Sequence, residues 1–115
     1  MDRRECRLSE LVAALVRKDF SSSSAALVAR ELHVSDRTLR RHLAAEGSSF
    51  QEILSSQRFA MAAQLLTATG SSVQDIAMRL GYSDASNFGH AFRQWTGMSP
   101  RQYRQRGTQA YLQAG

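Results

Sequence analysis

The 115-residue sequence contains a single cysteine, Cys6, so no disulfide can form within the chain. It has no apolar run long enough to cross a membrane. Its basic amino end is not followed by the apolar stretch that a signal peptide needs. A lone thiol is typical of proteins in a reducing compartment. We therefore expect a cytoplasmic protein with Cys6 as a surface thiol and no membrane partner.

The sequence also lacks the residue patterns on which enzymes depend. It has no Gly-rich phosphate loop and no combination of nucleophile, base and orienting group. His90 lies among basic residues but has no second metal ligand at a suitable spacing. We expect no catalytic activity, no cofactor and no metal site.

Positive charge is present in excess and is concentrated in one part of the chain. The formal net charge is +5 and the pI is about 10.3. Residues 90–106 contain four arginines and no acid, whereas residues 47–89 contain two arginines and three acids. Charge alone does not choose between nucleic acid and a membrane surface. Its uneven distribution favours a local binding face for a polyanion.

Apolar residues follow helical spacing, and no segment alternates with a period of two. We predict an all-α fold of about seven helices, with two helix-turn-helix subdomains joined by a long linker helix. In the first helix, one buried face is formed by Leu8, Leu11, Val12, Leu15 and Val16. The seventh helix begins at Ser99–Pro100 and is expected to end at Gly107. The predicted parts are residues 1–48, the linker 49–69, residues 70–107 and a frayed tail, 108–115.

The same helical pattern occurs twice. Each copy has a small residue where two helices approach, an apolar residue at the turn, a polar cap and an apolar anchor. These are Ala29, Val34, Ser35 and Leu39 in the first copy, and Ala77, Tyr82, Asp84 and Phe88 in the second. The second turn is longer by one residue. His33 occupies a turn position that favours glycine, in a left-handed conformation that histidine tolerates. Both copies are typical of helix-turn-helix motifs, which place a helix in the DNA major groove.

The segment from Gly81 to Arg104 resembles the signature of the AraC/XylS family of bacterial transcription regulators nearly position by position. Ser35 with residues 38–41, and Arg58 with Ala62, resemble the first motif and the linker of that family. The resemblance implies a sequence-specific domain for double-stranded DNA, associated with the nucleoid when bound. Activators of this family also contact RNA polymerase, so the resemblance implies RNA polymerase as a further partner if the protein is an activator; the sequence does not give the sign of regulation. Family members carry an effector-binding domain ahead of this region, so the chain is either a small stand-alone member or a carboxy-terminal fragment of a longer regulator, and we expect the fragment.

Two helices carry the predicted base contacts. Arginine can hold the O6 and N7 of guanine in bidentate fashion. The resemblance places base contacts of the third helix on Arg37, Arg40 and Arg41, with Thr38 nearby; a solvated charged face is the alternative. On the sixth helix the predicted outward set is Ala85, Ser86, Gly89, His90 and Arg93. The first four of these are predicted base contacts, and Asn87 is a further predicted contact, to base or phosphate.

Phosphate contacts are predicted at helix starts and on the basic segment. The predicted residues are Ser24, Arg93, Ser99, Arg101 and Tyr103. Tyr103 matches a family position, but packing of its ring against Trp95 is an equal alternative. The serine run 21–24 also serves as a loop and an N-cap.

The linker helix has about 20 residues, which span roughly 30 Å at ~1.5 Å per residue. Successive major-groove segments on one face of B-DNA are ~34 Å apart. We therefore hypothesise that one molecule inserts two recognition helices into adjacent segments. The rival interpretation is a helical protein-interaction module without DNA contact. No heptad or other dimer seam is visible, so we expect a monomer.

Overall fold

The computed structural model describes residues 7–22 and 24–114, so Cys6 lies outside the described part of the chain. The described residues contain seven α-helices and no strand, which confirms the predicted all-α fold. A short 3-10 turn, Phe20–Ser22, follows the first helix. The helices are α1 (Leu8–Lys18), α2 (Ala25–Glu31), α3 (Asp36–Ala45), α4 (Phe50–Ala68), α5 (Val73–Arg79), α6 (Ala85–Thr96) and α7 (Pro100–Ala114).

The chain divides into two compact units, the first ending at Arg58 and the second beginning at Phe59. The division falls within α4, the long helix that was predicted at residues 49–69. Assignment of residues 1–48 and 70–107 as separate subdomains, with α4 as their linker, stays a prediction.

The first unit has a core of apolar side chains from α1, α2, α3 and the start of α4. Val16 and Leu43 are fully buried, and Leu39 is 1% exposed. One residue of the predicted α1 face is wrong: Leu11 is 44% exposed, whereas Ala13 is buried. The face that α1 presents to the core is therefore rotated away from Leu11 and toward Ala13.

The carboxylate of Glu46, the C-cap residue of α3, stabilises the start of α1. The N-cap residue of α1, Arg7, makes no side-chain capping hydrogen bond. Instead Glu46 accepts hydrogen bonds from the backbone N–H groups of Leu8 (2.8 Å) and Ser9 (3.0 Å). The hydrogen bond from the Ser9 backbone is the largest cause that lowers the pKa of Glu46 below its ordinary 4.5, against the opposing effect of desolvation. Glu46 thus caps a helix that is distant in sequence.

Aromatic side chains dominate the core of the second unit. Phe88 and Phe92 of α6 are fully buried, and their ring centroids are 5.7 Å apart. Trp95 lies edge-on to Phe92 at 5.9 Å, and Phe59 of α4 is 6.0 Å from Phe92. These rings fix the face of α6 that points inward and hence the face that points outward.

The predicted end of the seventh helix at Gly107 is wrong, and so is the predicted tail, because α7 continues to Ala114. A Cβ atom at position 107 would come within 2.9 Å of Thr67 Cγ2 in α4. Glycine at this site allows close packing between helices, which is a different role from ending a helix.

Arg104 of α7 binds backbone carbonyl groups at the end of α4 and in the segment that follows it. Its Nε donates to Leu66 O at 2.8 Å, and its Nη2 donates to Ser71 O at 2.6 Å. Longer contacts from Nη2 reach the carbonyl oxygens of Leu65 and Thr69. The side chain therefore satisfies a helix C-terminus and holds α7 against it.

Candidate nucleic-acid interface

The two turns have the same backbone geometry. His33 has a φ of 61° and Gly81 a φ of 88°, so both occupy the left-handed region. The next residue then donates its N–H to the small residue of the preceding helix: Val34 to Ala29 and Tyr82 to Ala77, both at 3.0 Å. Ala29 and Ala77 are buried, as close approach of two helices requires. The sequence repeat is thus a repeat in structure.

Polar side chains start the second helix of each motif as predicted. Ser35 Oγ accepts from the Thr38 N–H at 3.0 Å, and Asp84 Oδ1 accepts from the Asn87 N–H at 2.8 Å. The extra residue of the second turn is Ser83, whose Oγ accepts from Asn87 Nδ2 at 2.7 Å. The insertion therefore lies in the turn and leaves α6 regular, from Ala85 to Thr96.

The outer face of α3 carries the three predicted arginines. Leu39 and Leu43 point into the core, while Arg37, Arg40 and Arg41 are exposed. The fourth predicted residue, Thr38, is half-buried, and its Oγ1 accepts from Ser35 Oγ at 2.9 Å. Arg40 forms an ion pair with Asp36 one turn earlier. The face combines long cations with a rigid, well-capped helix.

The outer face of α6 is less charged than that of α3. Ser86, Asn87 and His90 are exposed, while Ala85 and Gly89 are half-buried. A Cβ atom at position 89 would lie 4.0 Å from Pro100 Cδ, which is an ordinary contact. The face offers hydroxyl, amide and imidazole groups in place of guanidinium groups.

Cationic side chains continue beyond this face. Arg93 is exposed on α6, and Arg101 is exposed in the first turn of α7. Ala85, Ser99 and Arg101 line one surface depression of the second unit. This arrangement brings three of the predicted contact residues together beside the start of α7, where backbone N–H groups favour anions.

Several predicted contact residues also have structural partners. Ser99 and Gln102 form a reciprocal capping box, with N–O distances of 3.0 and 3.1 Å. Ser24, in the first unit, is exposed and caps α2 by accepting from the Leu27 N–H at 3.1 Å. The Tyr103 ring packs edge-on against Phe92 at 5.1 Å, whereas the sequence had suggested Trp95 as its partner. Capping by a hydroxyl oxygen leaves the hydroxyl proton available for another acceptor.

Two side chains of this region were not singled out from the sequence. The pairing of Asp36 with Arg40 was not predicted, although the spacing of four residues is a sufficient signal. Arg104 was noted only as part of the family signature, because its carbonyl partners are more than 30 positions away.

Among the described residues there is no group of three or more His, Cys, Asp or Glu that could bind a metal ion. None of the described helices is both long and apolar enough to cross a membrane.

A sequence model described as "Helix-turn-helix domain" matches residues 28–106, which is more than half of the chain and includes both motifs. The chain belongs to the AraC-type helix-turn-helix family. The resemblance that the segment from Gly81 to Arg104 indicated is thereby confirmed.

Among AraC-type relatives, the chain is 49% identical over 77 residues to an ornithine utilization regulator of Pseudomonas aeruginosa, a match covering 67% of this chain and 23% of the relative. The chain thus spans about a quarter of the length of that curated relative. A DNA-binding transcriptional dual regulator from Escherichia coli K-12 has a similar structure, with a TM-score of 0.87, 27% identity and coverage of 95% of this chain and 99% of that one. The DNA-binding domain of AdpA, solved in complex with a target DNA, matches with a TM-score of 0.73, 26% identity and coverage of 88% and 93%.

Proposed function

We propose that this chain is the sequence-specific, double-stranded DNA-binding domain of a bacterial transcription regulator, with α3 and α6 as its recognition helices. The repeated turn carries the proposal. In both copies a left-handed residue and a capped second helix leave one polar helix face exposed. A helix-turn-helix motif of this kind presents its second helix to the major groove.

The chemistry of the exposed faces supports DNA over a protein partner. The α3 face carries three arginines, and α6 and α7 add Arg93 and Arg101. Arginine suits both guanine edges and phosphates. The AdpA domain, whose structure is similar, was solved with a target DNA bound.

The length of α4 supports a two-groove mode of binding. Its 19 residues correspond to about 28 Å of helix, close to the ~34 Å between major-groove segments on one face of B-DNA. We propose that the two recognition helices occupy successive segments, so that the binding site consists of two different short boxes. The face of α3, with its arginines, supplies most of the base discrimination, and the face of α6 supplies less.

The remaining assignments belong to the same proposal. We propose a bacterial cytoplasmic protein that is monomeric as this chain, with an effector-binding domain elsewhere in the full regulator and RNA polymerase as a second partner. The regulator names of the bacterial relatives, together with the small share of their length that matches, support this view.

Selection of duplexes from a random library tests the proposal. We expect enrichment of an asymmetric site. If about six phosphates are contacted, the affinity should fall roughly a thousandfold between 50 and 200 mM salt because counterions are released. A protein-interaction module would enrich no sequence, and that outcome would refute the proposal.

Three matched variants test the division of labour between the helices. Arg40→Ala and Arg41→Ala should each lose more discrimination between the selected site and its single-base variants than His90→Ala loses, because a bidentate guanidinium–guanine contact contributes about 1–3 kcal/mol. Equal losses in the three variants would contradict the assignment of α3 as the main source of specificity.

A further inference from the structure

The three exposed arginines of α3 differ in what precedes them by one helical turn. Arg40 has a carboxylate four residues earlier, at Asp36, whereas Arg41 has Arg37 at that spacing and Arg37 has His33. Side chains four residues apart lie side by side on a helix surface. Arg40 is therefore the one member of this group with an anionic neighbour at that spacing.

In the structure, Arg40 and Asp36 are in direct contact. Oδ2 of Asp36 forms an ion pair with Nη2 of Arg40. The Arg40 side chain is 73% exposed and the Asp36 side chain 39% exposed, so the guanidinium is held while it stays open to solvent. Oδ1 of Asp36 is shielded from solvent and has no hydrogen-bond partner among the described residues. Oδ2 is thus the carboxylate oxygen through which Asp36 contacts the Arg40 guanidinium.

We propose that Asp36 is a positioning residue that orients the Arg40 guanidinium for base recognition and thereby sets the specificity of the first motif. This inference rests on the proposed DNA-binding function. An arginine side chain is flexible, and holding it before binding reduces the entropy that it loses on the DNA. The contact with Asp36 uses Nη2, and a guanidinium has five N–H donors, so others remain for the guanine edge.

The carboxylate also has an opposing effect on affinity. A negative charge beside the phosphate backbone weakens the electrostatic attraction that every DNA sequence shares. Asp36 therefore lowers non-specific affinity while it sharpens base discrimination. This combination separates positioning from a purely structural role, since loss of structure would lower both quantities.

The second motif provides an internal contrast. The residue at the start of α6 that corresponds to Asp36 is Ala85, and four residues later the chain has Gly89. No ion pair can form between those two side chains. Of the two motifs, only the first, whose recognition helix carries the arginines, has this carboxylate–guanidinium pair at positions one and five of the helix.

The experiment compares wild type with Asp36→Ala, Asp36→Asn, Arg40→Ala and the double variant Asp36→Ala/Arg40→Ala at one salt concentration. Each protein is titrated with the selected duplex, its single-base variants and an unrelated duplex. Glu52→Gln is the control, because it removes one exposed carboxylate from the first turn of α4 in the same unit. Circular dichroism of each variant verifies that the helices are retained.

In Asp36→Ala we expect discrimination at the base position that Arg40→Ala affects to fall about fivefold, with other positions unchanged. Binding of the unrelated duplex should become about twofold to threefold tighter, because one negative charge is removed. Asp36→Asn, which keeps an acceptor oxygen without the charge, should lie between wild type and Asp36→Ala. The double variant should discriminate no worse than Arg40→Ala alone.

Three results would overturn the inference: unchanged discrimination in Asp36→Ala, an equal loss at every base position, or a further loss on adding Asp36→Ala to Arg40→Ala. If wild type itself shows no preferred duplex, the proposed DNA-binding function is refuted and this inference falls with it. A wild type that selects a sequence while Asp36→Ala selects the same sequence equally well refutes the inference alone.

Discussion

Replacing Phe92 by alanine should strongly destabilise the second unit. Phe92 is fully buried, and its ring contacts the rings of Phe59, Phe88, Trp95 and Tyr103 at centroid distances from 5.1 to 6.0 Å. These rings belong to α4, α6 and α7. The substitution therefore leaves a cavity at the point where the outward face of α6 is fixed.

The expected cost is large compared with the stability of a unit of this size. A buried phenylalanine replaced by alanine costs about 3–5 kcal/mol, and the aromatic surroundings place Phe92 in the upper half of that range, about 4 kcal/mol. At roughly 0.05–0.15 kcal/mol per residue, the whole second unit has a free energy of unfolding of only about 3–9 kcal/mol. The variant should be marginally folded or unfolded in that unit.

Trp95 provides a specific assay, because it is the only tryptophan of the chain and contacts Phe92 directly. Urea unfolding followed by its fluorescence should show a midpoint lowered by about 2–4 M, for an m-value of about 1–2 kcal/mol/M. Gln94→Ala, on the exposed side of the same helix, is the control and should change the free energy of unfolding by less than about 0.5 kcal/mol. A midpoint shift below about 0.5 M for Phe92→Ala would refute the assigned role of the aromatic cluster.

Three further predictions concern the turns and the long-range contacts. A Cβ atom is disfavoured at positive φ, so Gly81→Ala should destabilise the second unit by about 1–2 kcal/mol. For the same reason, His33→Gly should stabilise the first unit by about 0.5–1 kcal/mol. Thermal unfolding followed by circular dichroism measures both changes. Arg104→Ala should destabilise the second unit by about 2–3 kcal/mol, since it removes the side-chain donor to Leu66 O and Ser71 O. Arg104→Lys should recover only part of this loss, as measured by urea unfolding. The stability that Glu46 contributes should be complete above about its ordinary pKa of 4.5 and be lost as the pH falls through its lowered folded-state pKa, so Glu46→Gln should flatten that part of an acid titration of unfolding.

Each of these predictions has a result that contradicts it. Unchanged stability in both Gly81→Ala and His33→Gly would show that the left-handed geometry is not retained in solution. Full recovery by Arg104→Lys would mean that the forked guanidinium geometry is unimportant. An unchanged acid titration in Glu46→Gln would remove the helix-capping role of that carboxylate.

Helix starts could be predicted closely because they depend on neighbouring residues. Ser35 and Asp84 signalled the starts of α3 and α6, and the structure places both caps where they were expected. The end of α7 could not be predicted in this way. Gly107 has the local signature of a helix terminator, whereas its actual role depends on Thr67, forty residues earlier.

In the candidate site, too, features that depend on neighbouring residues could be predicted, and features that depend on tertiary packing could not. Periodicity identified which faces of α3 and α6 are exposed, because Leu39 and Phe88 fix the opposite faces in the core. The ion pair of Arg40 needed only local spacing and was available from the sequence. Contacts of Arg104 depend on how α7 packs against the end of α4, so no sequence window contains them.

In the proposed binding mode, one molecule inserts two recognition helices into successive major-groove segments. Methylation protection of guanine N7 on the selected duplex measures this directly, since N7 lies in the major groove. We predict two protected clusters on one face of the duplex, about 10 base pairs apart, with Arg40→Ala weakening protection in one cluster alone. A single protected cluster, or two clusters on opposite faces, would contradict the account.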